Sequence, residues 1–156
     1  MGEPRYPLQG ITVIDLGQIY NGPYATFLMA MAGARVIKIE PRDGESLRHR
    51  TLIGGAALPF AMLNSNKLAV TLILKTPRGR ELLIDMTRRA DVFLENFVPG
   101  KLESLGLGYK VLREVNPRLI YASGSGFGST GPYREYPAMD ITIQAMSGVM
   151  SVTGFP

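Results

Sequence analysis

The feature that most constrains this chain is an alternation of short, β-branched runs with helix-forming stretches. Residues 11–16 (ITVIDL), 35–40 (RVIKIE), 68–74 (LAVTLIL), 91–95 (DVFLE) and 118–123 (RLIYAS) read as strands. Between them, Gly22 and Pro23 open a helical stretch over 24–32, which Gly33 closes. Thr76 and Pro77 supply an N-cap and a first-position proline for a helix over 77–89, with Leu82, Leu83 and Met86 on one face. Residues 100–108 and 109–115 read as two short helices, the second stopped by Asn116 and Pro117, and 140–149 as a last, apolar one. Strand and helix in alternation mean βαβ units with right-handed crossovers. The expected fold is therefore α/β, a Rossmann-like, mostly parallel sheet flanked by helices. Its strands are continuously apolar, which predicts cover on both faces. Residues 41–67 show little periodicity and read as an excursion over the sheet's carboxyl edge, where open parallel sheets bind ligands.

Composition narrows the chemistry. At 156 residues, 46% apolar and 19% charged, the chain is long enough for one core and too apolar for disorder. No apolar run approaches the roughly 20 residues that span a bilayer. Residues 1–7 (MGEPRYP) have no apolar stretch behind their charge, so no secretory signal is expected. The absence of cysteine excludes disulfides, thiolate metal sites and a cysteine nucleophile. A single histidine, His49, read as exposed, leaves no multi-histidine cluster, and no metal is expected. Together these absences point to a cytoplasmic protein with no membrane partner. The net charge of +4 fits either a mildly basic surface or a site for a polyanionic small molecule. The basic residues form no run of five, which argues against nucleic acid.

Several residues at the strand ends are candidates for binding. Asn21, Gly22 and Pro23 follow the first strand, where a helix start offers N–H groups to an anion or serves only as helix-start chemistry. Lys75 stands past the third strand, beside Arg78 and Arg80, as a phosphate-suited cation or a solvated side chain. Glu95, Asn96 and Phe97 close the fourth strand; they can flank an adenine by stacking and hydrogen bonds, or form a buried aromatic and a turn amide. Gly126, Gly128 and Gly131 match G-x-G-x-x-G, but Gly131 runs into loop residues 132–137 and not a helix, so a dinucleotide site is rejected. Asp140 opens the last helix, by default as an N-cap. Methionines 29, 31, 62, 86, 139, 146 and 150 read as core filler on helices.

Residues 7–156 resemble the amino-terminal part of the class III coenzyme A transferase family (CaiB/BaiF type, formyl-CoA transferase-like). The resemblance rests on an ordered series of motifs. They are Leu8 to Leu16 with Gly22 and Pro23, Gly33 to Pro41, Asn64 to Lys67, Leu74 to Gly79 ("LK-x-P-x-G"), and Ala90 to Gly100 ("ADV-x-x-ENF-x-PG"). Leu105 to Tyr109, Asn116 to Tyr121, Gly126 to Pro132 and Asp140 to Gly154 follow. It implies transfer of coenzyme A from an acyl-CoA to a carboxylic acid acceptor through an aspartyl intermediate. Matched by position, the coenzyme contacts implied are Tyr20, Asn21, Leu72, Ile73, Leu74, Lys75, Asn96, Phe97 and Val98, with Asp140 as a supporting acid near the acyl group. A non-catalytic coenzyme-binding or interaction module is the alternative, and a racemase-like protein a lesser one.

This sequence departs from the family's pattern in four ways. Pro41 replaces a basic residue that helps hold the coenzyme's phosphates, with Arg42 next to it, and Ser104 stands where some members have arginine. Met139 replaces the histidine of the racemase branch, which favours transfer. The chain is also under half a member's length, so it is expected to be the amino-terminal part of the coenzyme-binding large domain. The attacking aspartate is then expected beyond Pro156. The family's homodimer, or a completing second half, is expected to be needed for activity.

Overall fold

The computed structural model describes residues 6–50 and 52–154. Residues 1–5, on which much of the signal-peptide reading rests, lie outside them, as does Pro156. The chain divides into two compact units, residues 1–124 and 125–156.

The first unit is built on five parallel strands in the order β3-β2-β1-β4-β5: β1 (Thr12–Asp15), β2 (Arg35–Glu40), β3 (Leu68–Thr71), β4 (Val92–Glu95) and β5 (Ile120–Ser123). Register is set by pairs such as Val13 with Val36, Val13 with Val92, Ile39 with Val70, and Phe93 with Tyr121. The order reverses between β1 and β4, and the carboxyl ends of those two strands flank the point where doubly wound sheets open a crevice. The crossovers carry α1 (Asn21–Met31), α2 (Leu58–Asn64), α3 (Pro77–Thr87), α4 (Lys101–Ser104) and α5 (Tyr109–Val115).

The core lies on the two faces of the central strands. Ile14, Leu16, Ile39, Phe93, Leu83, Leu102, Leu107 and Leu112 form one buried cluster. Val13, Val36, Val92, Ala30 and Ala34 form the other, under α1. The expectation of cover on both faces holds for β1, β2 and β4. It fails at the edges, where β3 and β5 leave Leu68 and Ile120 exposed.

Three other expectations need correction. The first helix begins at Asn21, not residue 24, so Gly22 and Pro23 form its buried first turn. Residues 41–67 are not all irregular: they hold a 3-10 turn (Ser46–Arg48) and α2, which buries no residue completely and so shows no clear period. Among the methionines, Met29 and Met86 pack against the core, but Met31 and Met62 are exposed, as are Met139, Met146 and Met150 in the second unit.

In the second unit, Gly148 adopts φ 80° and breaks the predicted last helix into α6 (Asp140–Met146) and α7 (Val149–Val152). Its glycine loop gathers Phe127, Tyr133 and Tyr136 into one aromatic cluster, with ring centroids 5.2–6.4 Å apart. Gly126 packs so close to Ala138 that a side chain there has no room. No helix among the described residues is long and apolar enough to cross a membrane.

Candidate ligand site at the strand tips

A cavity of about 360 Å3 opens at the carboxyl edge of the sheet. That volume falls within the roughly 300–1,000 Å3 of small-molecule sites. Its floor is Leu16, Ile39 and Glu40 at the ends of β1 and β2; one wall is Leu72, Ile73, Leu74 and Lys75, and Gln18, Phe97 and Leu105 stand opposite. Pro41, Arg42 and Asp43 complete the lining.

Local chemistry builds each wall. The strand ladder of β3 stops at Thr71, three residues earlier than expected, which frees residues 72–75 to turn across the opening. Thr76 then caps α3, its Oγ1 accepting from Gly79 N–H at 3.1 Å and donating to the Ile73 carbonyl at 2.8 Å. An added Cβ on Gly79 would lie 2.2 Å from that carbonyl, so the wall can close on the helix only over a glycine.

The turn after β1 is held almost entirely by side chains. Gly17 N–H donates to Asp15 Oδ1 (2.7 Å), and Gly17 C=O accepts from Lys38 Nζ (2.7 Å). Asn96 takes Gln18 at both ends: its Oδ1 accepts from Gln18 N–H at 2.7 Å and its Nδ2 donates to Gln18 C=O at 2.9 Å. Ile19 N–H donates to Glu45 Oε1 at 2.7 Å. Ile19 has φ 63°, a left-handed conformation that costs a β-branched residue about 1–3 kcal/mol.

Buried charges underlie the floor. Lys67, its side chain 1% exposed, donates to Asp15 Oδ2, the Pro23 carbonyl, Thr26 Oγ1 and Asn64 Oδ1 at 2.8–3.0 Å. Burial pushes the Lys67 pKa down against the opposing pull of Asp15. Arg48 grips Glu40 through two bonds of 2.6 Å and also lies over the Phe60 ring at 3.8 Å. Burial works to raise the Glu40 pKa, but the Arg48 bond, the Glu45 N–H and the charges of Arg48 and Lys38 outweigh it, and the carboxyl sits below its ordinary value. Glu45 Oε2 lies 2.9 Å from Lys38 Nζ, an ion contact without hydrogen-bond alignment. At the far strand, burial and then the Glu95 carboxylate raise the Tyr121 hydroxyl pKa.

The structure brings together some of the sequence candidates and separates others. Leu72, Ile73, Leu74, Lys75 and Phe97 line one cavity. Asn96 is not among the lining residues; its amide holds the lining residue Gln18 through one accepted and one donated bond. Asn21 opens α1 at the same sheet edge; Tyr20 and Val98 are exposed and line no part of the cavity. His49 is exposed, as expected, with a ring nitrogen 2.7 Å from the Asp43 carbonyl. Asp140 lies in the second unit, where it is the first residue of α6 and not its cap: Met139 is the cap residue, and the Asp140 carboxylate accepts from Gln144 Nε2 at 2.6 Å.

Sequence reading missed Lys38, Glu45 and Gln18. Lys38 and Glu40 carried a usable signal, because charged residues inside a strand buried on both faces must be paired.

An open parallel sheet with a largely apolar strand-tip cavity and cations at its rim defines an α/β domain suited to a nucleotide-like anion. The profile of CoA-transferase family III matches residues 8–156, and the chain belongs to that family. It is 47% identical over 156 residues to the acetyl-CoA:oxalate CoA-transferase of Acetobacter aceti, covering 99% of this chain and 40% of that protein. It is 45% identical over 150 residues to the formyl-CoA:oxalate CoA-transferase of Streptomyces avermitilis, covering 95% of this chain and 36% of that protein. Among solved structures, a CAIB/BAIF family protein from Brucella suis superposes with a TM-score of 0.92 at 39% identity, covering 98% of this chain and 42% of that one. A hypothetical protein from Mycobacterium tuberculosis gives 0.91 at 38%, covering 99% and 43%. The chain thus spans about 40% of the length of the curated relatives it matches, their amino-terminal part.

Proposed function

We propose that this chain forms the coenzyme-binding part of an acyl-CoA:carboxylate CoA-transferase, with coenzyme A held at the strand-tip cavity. The observation that carries this reading is the meeting of residues 72–75 and Phe97 in one cavity that also presents Arg42. Phe97 with Leu16, Leu72 and Leu74 offers apolar walls for a purine. Lys75 supplies a compact cation for phosphate, and Arg42 takes the place of the basic residue that Pro41 displaces. The names of the relatives support an acyl-CoA as donor and a carboxylic acid as acceptor. Asp140 is assigned a supporting role near the acyl group, and transfer itself is assigned to the complete enzyme.

Calorimetric titration with coenzyme A tests the reading. Wild-type protein is expected to bind, and Lys75→Ala to lose about 1–3 kcal/mol, the scale of a charge-assisted bond. Folded protein that gives no binding heat, or a Lys75→Ala variant of unchanged affinity, defeats it.

A further inference from the structure

The turn after β1 has an unusual construction. Its backbone is gripped by side chains from three separate places in the chain: Lys38 on Gly17 C=O, Asn96 on both polar groups of Gln18, and Glu45 on Ile19 N–H. Only the last of these acts on a residue in a disfavoured conformation. Isoleucine at φ 63° has a branched Cβ against its own backbone and persists only where the surroundings over-determine it. The bond that does so here comes from Glu45, 26 residues away and 3% exposed, whose carboxylate is itself fixed by Lys38 at 2.9 Å. Glu45 N–H in turn donates to Glu40 Oε2 at 3.0 Å. One buried carboxylate thereby joins the segment after β2 to the turn that presents Gln18 to the cavity.

We propose that Glu45 is a positioning residue for the ligand site: it holds Ile19 left-handed and so fixes the turn that carries Gln18 and leads into Tyr20 and Asn21. The proposal rests on the coenzyme-binding reading for its ligand, though not for its structural half. Without the Glu45 oxygen, Ile19 relaxes to negative φ, the turn no longer presents Gln18 to the cavity, and only the minority of molecules still in the native turn bind. Apparent affinity falls by the fraction that remains competent.

The test is a rescue experiment with coenzyme A as the probe. Glu45→Ala is expected to raise Kd about tenfold, the loss that follows when about a tenth of the population stays competent. Ile19→Gly removes the penalty for positive φ, since glycine adopts that conformation freely. The Glu45→Ala/Ile19→Gly double variant is therefore expected to bind within about threefold of Ile19→Gly alone, because both carry the same glycine and neither needs the Glu45 bond to hold positive φ. A carboxylate needed only as an ion-pair partner for Lys38 gives no such rescue, and its absence overturns the proposal.

If Glu45→Ala does not fold, Glu45→Gln serves. It keeps an oxygen for Ile19 N–H and gives up the charge opposite Lys38. Affinity within about threefold of wild type, despite a lower Tm, is expected; affinity that falls with Tm overturns the proposal. A strong intraresidue amide-to-Hα NOE at Ile19 reports positive φ in the free protein. It is expected in wild type and lost in Glu45→Ala. Should wild type fail to bind coenzyme A, the ligand reading falls, and this NMR signature alone decides the role of Glu45: its persistence in Glu45→Ala refutes it.

Discussion

Replacing Gly79 with alanine sets two effects of opposite sign against each other. Gly79 is the third residue of α3, and within a helix the change from glycine to alanine ordinarily stabilises by about 1 kcal/mol. Here the new Cβ would sit 2.2 Å from the Ile73 carbonyl oxygen, where real Cβ atoms essentially never come within 3.0 Å. That oxygen cannot retreat freely, because Thr76 N–H (2.9 Å) and Thr76 Oγ1 (2.8 Å) both donate to it. Overpacking of this kind costs about 1–3 kcal/mol, and each strained hydrogen bond about 1 more. The clash wins, and Gly79→Ala is expected to destabilise by about 2–4 kcal/mol net. For a chain of this size each kcal/mol lowers Tm by roughly 2–4 °C. Because Ile73 belongs to the cavity wall, coenzyme A affinity is expected to fall with stability, which thermal denaturation and calorimetry on one preparation measure together. An alanine variant as stable as wild type, binding with unchanged affinity, refutes the claim that the wall is seated on Gly79.

Lys67→Met strands Asp15 without its counter-ion in a fully buried site and is expected to cost about 3–5 kcal/mol in urea unfolding; a loss under about 1 kcal/mol contradicts the pairing. Arg48→Gln tests the Glu40 pairing through pH. Because the folded pKa of Glu40 is depressed, the stability it contributes is complete above its ordinary value of 4.5 and is lost as pH falls through the folded-state value. The variant is therefore less stable than wild type near neutrality, with a gap that closes on acidification, and a gap constant down to low pH counts against the assignment. Arg42→Ala is expected to weaken coenzyme A binding at low salt and to matter less as salt rises, since its charge is exposed and screened. A salt-independent effect points to packing instead of charge.

The five strands and the parallel sheet were legible in the residues because apolar β-branched runs alternated with capped helices, whereas the strand order came only with the structure. Thr76 and Pro77 marked the start of α3, and Gly33, at φ 94°, the end of α1. Lys75 and Phe97 were marked by their places at strand ends, whereas residues 72–74 entered as candidates only through the family resemblance. What stayed hidden depends on long-range partners. α2 buries no residue completely, so its pattern carried no clear period. That Asn96 holds Gln18, 78 residues earlier, has no local signal. Glu45 sits in an unpatterned stretch, and its importance appears only when Lys38 and Ile19 are brought beside it.

The sheet order also shapes how the chain assembles as it leaves the ribosome. The earliest strand lies in the middle: β1 first meets β2, and β3 then adds on the outer side of β2. The opposite flank of β1 stays bare until residues 92–95 are synthesised, some eighty residues after β1 itself. During that interval the nascent half-sheet presents an apolar strand with no neighbour on one side, the condition under which strands from other chains mispair. Pairing of β4 with β1 closes that flank and ends the exposure.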